Sequence, residues 1–236
     1  MNKTLILAFW KERFTSLVRL ALLITTWGFP ILLTLFQEPI RVPLASGFFG
    51  AFMVLGAGVI GRDLSSGVLQ LILARPVTRQ EYVLSRWAAL GSACFGVGFV
   101  GWLIVLPLSI SSGGMPVDEA LLRLVDIAVT AYGFAAVLTG LSALLPGFGD
   151  LAILLGGTIA AGTISFLGAT LNHPEIRRIG IEISATLFPA FESGRLFHDG
   201  TFHYYPLVSW ASTLFLGLLL AVYAMNHREF SYGSAG

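Results

Sequence analysis

Two carboxylates in greasy surroundings, Asp126 and Asp150, are the residues closest to a catalytic pair in this chain. Acid–base hydrolysis by two aspartates needs them near enough to share one proton. Twenty-four helical positions at ~1.5 Å each put these two roughly 36 Å apart along an axis, and the hairpin after Leu145 does not fold that distance away. Other chemistries fare no better. A phosphate-cradling loop ends in Gly-Lys-Ser/Thr, but lysine occurs only at Lys3 and Lys11, neither after a glycine. His173, His198 and His203 share a segment with Glu175 and Asp199, yet the spacing matches no tight metal-ligand pattern, and no metal site is assigned. Cys94 sits alone in an apolar run and reads as a small packing residue. No Ser/His/Asp or Cys/His array has credible spacing, and no residue is assigned a catalytic role or a cofactor.

The elements around these residues belong to a membrane protein. The chain has 236 residues, 56% hydrophobic and 11% charged, against roughly 25% charged in soluble domains. Mean hydropathy is +0.82. A net charge of +1 offers no field for nucleic acid. Charges at Lys11, Glu12, Arg13 and Arg19 interrupt the N-terminal apolar region too early for a cleavable signal. Residues 2–18 read as an amphipathic interfacial helix, with Ile6, Trp10, Phe14 and Leu17 on one stripe and Lys11, Glu12, Thr15, Ser16 and Arg19 on the other. About six spans follow, near Leu20–Phe36, Leu44–Gly61, Trp87–Leu108, Ile127–Leu145, Leu151–Leu171 and Pro206–Met225. Each approaches the ~20 residues needed to cross ~30 Å of hydrocarbon, and helices are the sensible solution there. The expected fold is thus an all-α membrane protein of one domain, residues 1–236. Glycines along the second and third spans suit close helix approach. Residues 172–205 form an outer segment, with a helix begun at Pro174 that lies on the membrane or dips into it. Arg123 and Asp126, three apart, are expected to pair on one helix face.

Lysine and arginine set the orientation. Lys3, Lys11, Arg13, Arg19, Arg62, Arg75, Arg79, Arg86 and Arg228 fall on one side, and Arg41, Arg123, Arg177, Arg178 and Arg195 on the other. The richer side is expected in the cytoplasm, with both termini.

Between the second and third spans runs RDLSSGVLQLILARPVTRQEYVLSRW, Arg62–Trp87. Leu64, Val68, Leu71 and Ile72 recur at helical spacing. Pro76 stops that helix. Thr78-Arg79-Gln80-Glu81 is a capping box that starts the next one, with Val77 and Tyr82 placed for a hydrophobic staple. Such a segment leaves the membrane, turns and re-enters rigidly, as a handle for something outside the bilayer.

That stretch resembles the cytoplasmic loop of type-2 ABC transporter permeases. The resemblance lies in Asp63, Gly67, the apolar run Val68–Leu73, Pro76-Val77-Thr78-Arg79 and Arg86, and in the surrounding topology. Departures stand at Ser65, Val68 and Ser85-Arg86, and they bear on docking chemistry. The resemblance implies the membrane subunit of an ABC exporter in the bacterial or archaeal inner membrane. Residues 62–81 would be its coupling segment, docked on a separate ATPase that holds ATP and Mg. It also implies a second permease copy or related permease, paired across glycine-rich helices. Asp63, Leu64, Gly67, Val68, Leu71, Arg75, Pro76 and Arg79 would form the ATPase-facing set. Within it Leu64, Val68 and Leu71 would bury against the ATPase, and Asp63 or Arg79 would pair with its charges. Few polar groups interrupt the spans, which favours a lipidic or amphipathic cargo over a small ion. Two alternatives stand beside this reading. One is a scaffold that uses the same motor to act on an extracytoplasmic partner protein. The other, more remote, follows from Gly147-Phe148-Gly149-Asp150, which is similar to the Gly-x-Gly-Asp signature of intramembrane aspartyl proteases. The Tyr-Asp partner motif of those proteases is absent.

Overall fold

A computed structural model describes residues 2–36, 48–111, 116–191, 193–198 and 201–228. It is built of helices: α1 (Lys3–Thr15), α2 (Leu17–Leu35), α3 (Phe49–Gly56), α4 (Gly61–Ser65), α5 (Val68–Leu73), α6 (Arg79–Ser111), α7 (Val117–Leu144), α8 (Gly149–Thr170), α9 (Pro174–Leu187) and α10 (Tyr205–His227). A single 3₁₀ turn, Ser193–Arg195, and a two-residue antiparallel pair, β1 (Phe197–His198) with β2 (Thr201–Phe202), lie between α9 and α10.

Among the described residues, four stretches are long and apolar enough to cross a membrane: Arg79–Pro107, Leu121–Leu144, Gly149–Thr170 and Tyr205–His227. They fit a membrane-embedded, multi-pass protein, because only self-satisfied backbones such as helices tolerate hydrocarbon over that length. α2, Leu17–Leu35, covers the expected first span to within a residue of its far end, and Leu17–Gly28 is the apolar run among its described residues. The second segment differs from expectation. The expected second span, Leu44–Gly61, is not one helix. Residues 44–47 fall outside the described set, and the helix over the remainder ends at Gly56, with Gly58 at φ +65°.

α7 is the central post, packed on α6 along one side and on α10 along the other. Its buried Phe134 joins Phe49 and Phe52 of α3 and Phe188 just past α9, with ring centroids 4.8–6.4 Å apart among them. Such tilted and edge-on aromatic contacts contribute beyond the area they bury.

α9 folds back antiparallel along α8, so that the backbone at Arg177 meets Gly168, Gly180 meets Ala161 and Ser165, and Leu187 reaches Gly157. Glycine at 168 and 180 allows this backbone-to-backbone approach. The chain then leaves α9 through Phe188–Phe191 with irregular backbone, which is tolerated at depth only where protein supplies partners. α7 supplies them. The Phe191 N–H donates to Thr130 Oγ1 at 2.9 Å, and the Ser193 N–H to Asp126 Oδ1 at 2.7 Å. The expected Arg123–Asp126 pair is present at 3.6 Å, and Glu119 also takes the Arg123 guanidinium at 3.2 Å.

The glycines of the second and third spans mostly serve contacts inside the chain. Gly56, Gly91, Gly98 and Gly101 face Leu138, Tyr132, Ile127 and Phe48 respectively. Gly96 is the exception in this group, with open space where a side chain would stand.

Candidate functional site

The handle is two short helices rather than one. α4 ends at Ser65, and Gly67 (φ +72°) makes a left-handed joint before α5. That conformation suits glycine. The joint reorients the apolar pattern. Leu69 is buried, and Leu64, Ile72 and Leu73 pack partly against the core. Val68 and Leu71 point away, 41% and 72% exposed. Arg75 and Pro76 are exposed as well. The capping box then closes: the Glu81 N–H donates to Thr78 Oγ1 at 3.2 Å, and the Thr78 N–H to Glu81 Oε2 at 3.3 Å.

Two residues expected to face a partner's charges have partners within the chain instead. Asp63 is buried, accepts the Tyr82 hydroxyl at 2.5 Å and pairs with the Arg86 guanidinium. Tyr82 and Arg86 are four apart on α6, so one helix face grips one carboxylate. Arg79 donates to the carbonyls of Met225 and Asn226 at 2.8 and 2.9 Å. It thereby satisfies orphan acceptors at the C-terminus of α10. Arg228 does the same for Leu144 of α7, at 2.6 Å. Arg62 reaches Glu12 of α1 at 2.6 Å. The handle is thus tied to α1 and α6, while α10 ends against the start of α6.

Beneath it lies a polar knot that the sequence did not reveal. Where α3 breaks, Ala57–Ile60 leaves the regular helical ladder, and side chains meet the Ala57 and Gly58 carbonyls and the Gly58 and Ile60 N–H groups. The Arg13 guanidinium donates to the carbonyls of Ala57 (2.7 Å) and Gly58 (3.2 Å). Asp150 accepts the Gly58 N–H at 2.9 Å. Ser142 Oγ accepts the N–H groups of Ile60 (2.9 Å) and Gly61 (2.8 Å). The Gly147 N–H donates to the Gly61 carbonyl at 2.7 Å. So a cation meets the carbonyl side of the break and an anion the amide side, as end-of-helix charges require.

Arg13 and Arg86 both stack on Phe9, their guanidinium carbons 4.9 and 5.4 Å from the ring centroid. Such contacts are stabilising when desolvated. Burial, with repulsion from Arg19, Arg86 and Arg62 set against attraction to Glu12, lowers the Arg13 pKa to about 10. The group remains a cation at neutral pH. α1 therefore buries Phe9 and Arg13, whereas Trp10, Phe14 and Leu17 of the expected apolar stripe are exposed. The helix is laid along α6 by Asn2 N–H to Ser85 Oγ (2.8 Å) and Trp10 Nε1 to the Ala89 carbonyl (3.0 Å).

Gly58→Ala should cost about 2 kcal/mol, since alanine is strained at positive φ. Gly61→Ala should cost more, because its Cβ would lie 2.5 and 2.7 Å from the carbonyl oxygens of Leu145 and Gly147. Denaturation midpoints of the two purified variants check the order.

Asp126 and Asp150 are not brought together; one serves Ser193 and Arg123, the other Gly58 and Leu151. Asp199 lies outside the described residues, and among those described no three His, Cys, Asp or Glu side chains gather as a metal site. Thr139, Thr158 and Thr163 return their hydroxyls to carbonyls one turn back. Compared with known proteins, the chain matches no family model, no curated protein and no solved structure.

Proposed function

We propose that this chain is the membrane subunit of an ATP-driven ABC transporter, an exporter, that borrows its motor from a separate cytoplasmic ATPase carrying ATP and Mg. In this reading α2 and the broken α3–α4 segment also cross the bilayer, making six spans. Both termini and the handle lie in the cytoplasm of a bacterial or archaeal cell, and a second permease copy completes the complex. The chain itself carries no catalysis.

One observation carries the reading: Val68 and Leu71 are turned outward on a segment otherwise fastened inward. An exposed apolar pair on a floppy loop would transmit nothing. Here Asp63, Arg62 and Gly61 tie the same segment to α6, α1 and the hairpin after α7, so a force on α5 reaches the bundle. The ATPase-facing set contracts accordingly to Val68, Leu71, Arg75 and Pro76. Leu64 and Gly67 shape the segment, and Asp63 and Arg79 anchor it.

Val68→Glu and Leu71→Glu, introduced into the full chain expressed with its ATPase, should abolish co-purification while leaving the unfolding midpoint unchanged. A carboxylate placed in a desolvated contact costs heavily unless it is paired. Co-purification and ATP-driven transport at wild-type levels in both variants would refute the docking assignment.

The scaffold alternative draws on α9. Glu175, Arg178 and Glu182 are exposed on it, and it is packed to α8, whose other end carries Asp150. A stably bound extracytoplasmic protein with no substrate flux in the reconstituted complex would select that reading.

A further inference from the structure

α1, α2 and α6 enclose an apolar groove of about 410 Å³. Trp10 and Phe14 line it from α1, Leu20 and Trp27 from α2, and Gly96 and Val100 from α6. Its two ends differ. The end at Trp10 and Leu20 adjoins Lys11 and Arg19, their immediate neighbours in sequence, and no acid follows until Glu38. Glu12, the acid at that end, is already held by Arg62 at 2.6 Å and Arg19 at 3.6 Å. The end at Trp27 and Val100 is purely apolar. A groove with a cationic mouth and a greasy floor has the charge pattern of an anionic amphiphile. A helix is about 10 Å across with its side chains, so a second copy's helix does not fit 410 Å³, whereas a single hydrocarbon tail does.

We propose that this groove holds one acyl chain of an anionic phospholipid, with its phosphate on Lys11 and Arg19. Gly96 has nothing within reach of a side chain, and that void is what a tail fills. The lipid would wedge α1 against α2 and α6, beside the Arg13 that holds the break in α3. The proposal rests on membrane embedding alone and stands apart from the transporter reading.

The test uses the full chain in nanodiscs of equimolar phosphatidylglycerol and phosphatidylcholine, released for native mass spectrometry with the retained lipid identified. One retained phosphatidylglycerol per chain, preferred about tenfold, is expected from two basic groups at the membrane surface. Lys11→Gln with Arg19→Gln should bring the two lipids near parity. Gly96→Leu, which fills the groove, should reduce retention of either lipid. Should Gly96→Leu lower the unfolding midpoint, Val100→Trp blocks the groove from its exposed side and gives the same readout. Equal retention of both lipids by the wild type, a preference untouched by the double substitution, or full retention with the groove filled would each overturn the proposal. So would a lipid-free dimer of the chain.

Discussion

Arg13→Ala destabilises the folded chain by about 3 kcal/mol or more, the largest effect expected of any single truncation in α1. The arithmetic is local. The Ala57 and Gly58 carbonyls would lose their donor in a buried site, and each unsatisfied buried group costs about 1–3 kcal/mol. Truncation also leaves a cavity beside Phe9, with its own cost. Arg13→Lys keeps the charge but offers a compact ammonium in place of a planar fork, so it recovers only part of the loss. Unfolding midpoints in detergent, for wild type and both variants, decide the matter. A wild-type midpoint for Arg13→Ala would mean that the break in α3 is held by something other than this guanidinium. Exposed Lys11→Ala, two positions away, serves as the control and should be nearly neutral.

Asp63→Ala should be comparably severe, about 3–5 kcal/mol, because it strands the buried Arg86 cation. The informative comparison is the double substitution Asp63→Leu with Arg86→Met. Replacing a buried pair by apolar groups of similar volume often restores stability or exceeds it. A double variant near wild-type stability with an uncoupled handle would separate two roles of the pair. In the proposed complex, that variant should still bind the ATPase but stimulate transport poorly. If the double variant transports normally, the pair serves folding and nothing more.

Much of the outer architecture was legible in residue order, for a simple reason. Long apolar runs in hydrocarbon have one structural solution, and caps such as Thr78–Glu81 mark where it begins. The ion pair at Arg123 and Asp126 followed from spacing alone. The knot did not, because Leu44–Gly61 is uniformly apolar and glycine-rich, and nothing within it says that a helix stops at Gly56. The signal was distributed over three distant places: Arg13 one turn from Phe9, Ser142 inside one span and Asp150 at the start of another. Each has an innocent reading by itself. Asp63 was misassigned for a related reason. Motif position marked it for a partner, whereas Tyr82 and Arg86, one turn apart on α6, already formed a clamp for a carboxylate. Those two side chains were the readable hint.

α8 touches two places at opposite ends of the molecule. Its first turn carries Asp150, seated on the kink at Gly58, and from Gly157 to Gly168 it is held by α9 at close quarters. Away from those contacts it is largely exposed, with Leu154 among its few buried side chains. At ~1.5 Å per residue its 22 residues span about 33 Å. A stiff member pinned at its foot and clasped at its head behaves as a pushrod. Any tilt imposed where Asp150 stands must swing α9, and with it the Phe188 wedge in the aromatic core, without a single bond in between having to break.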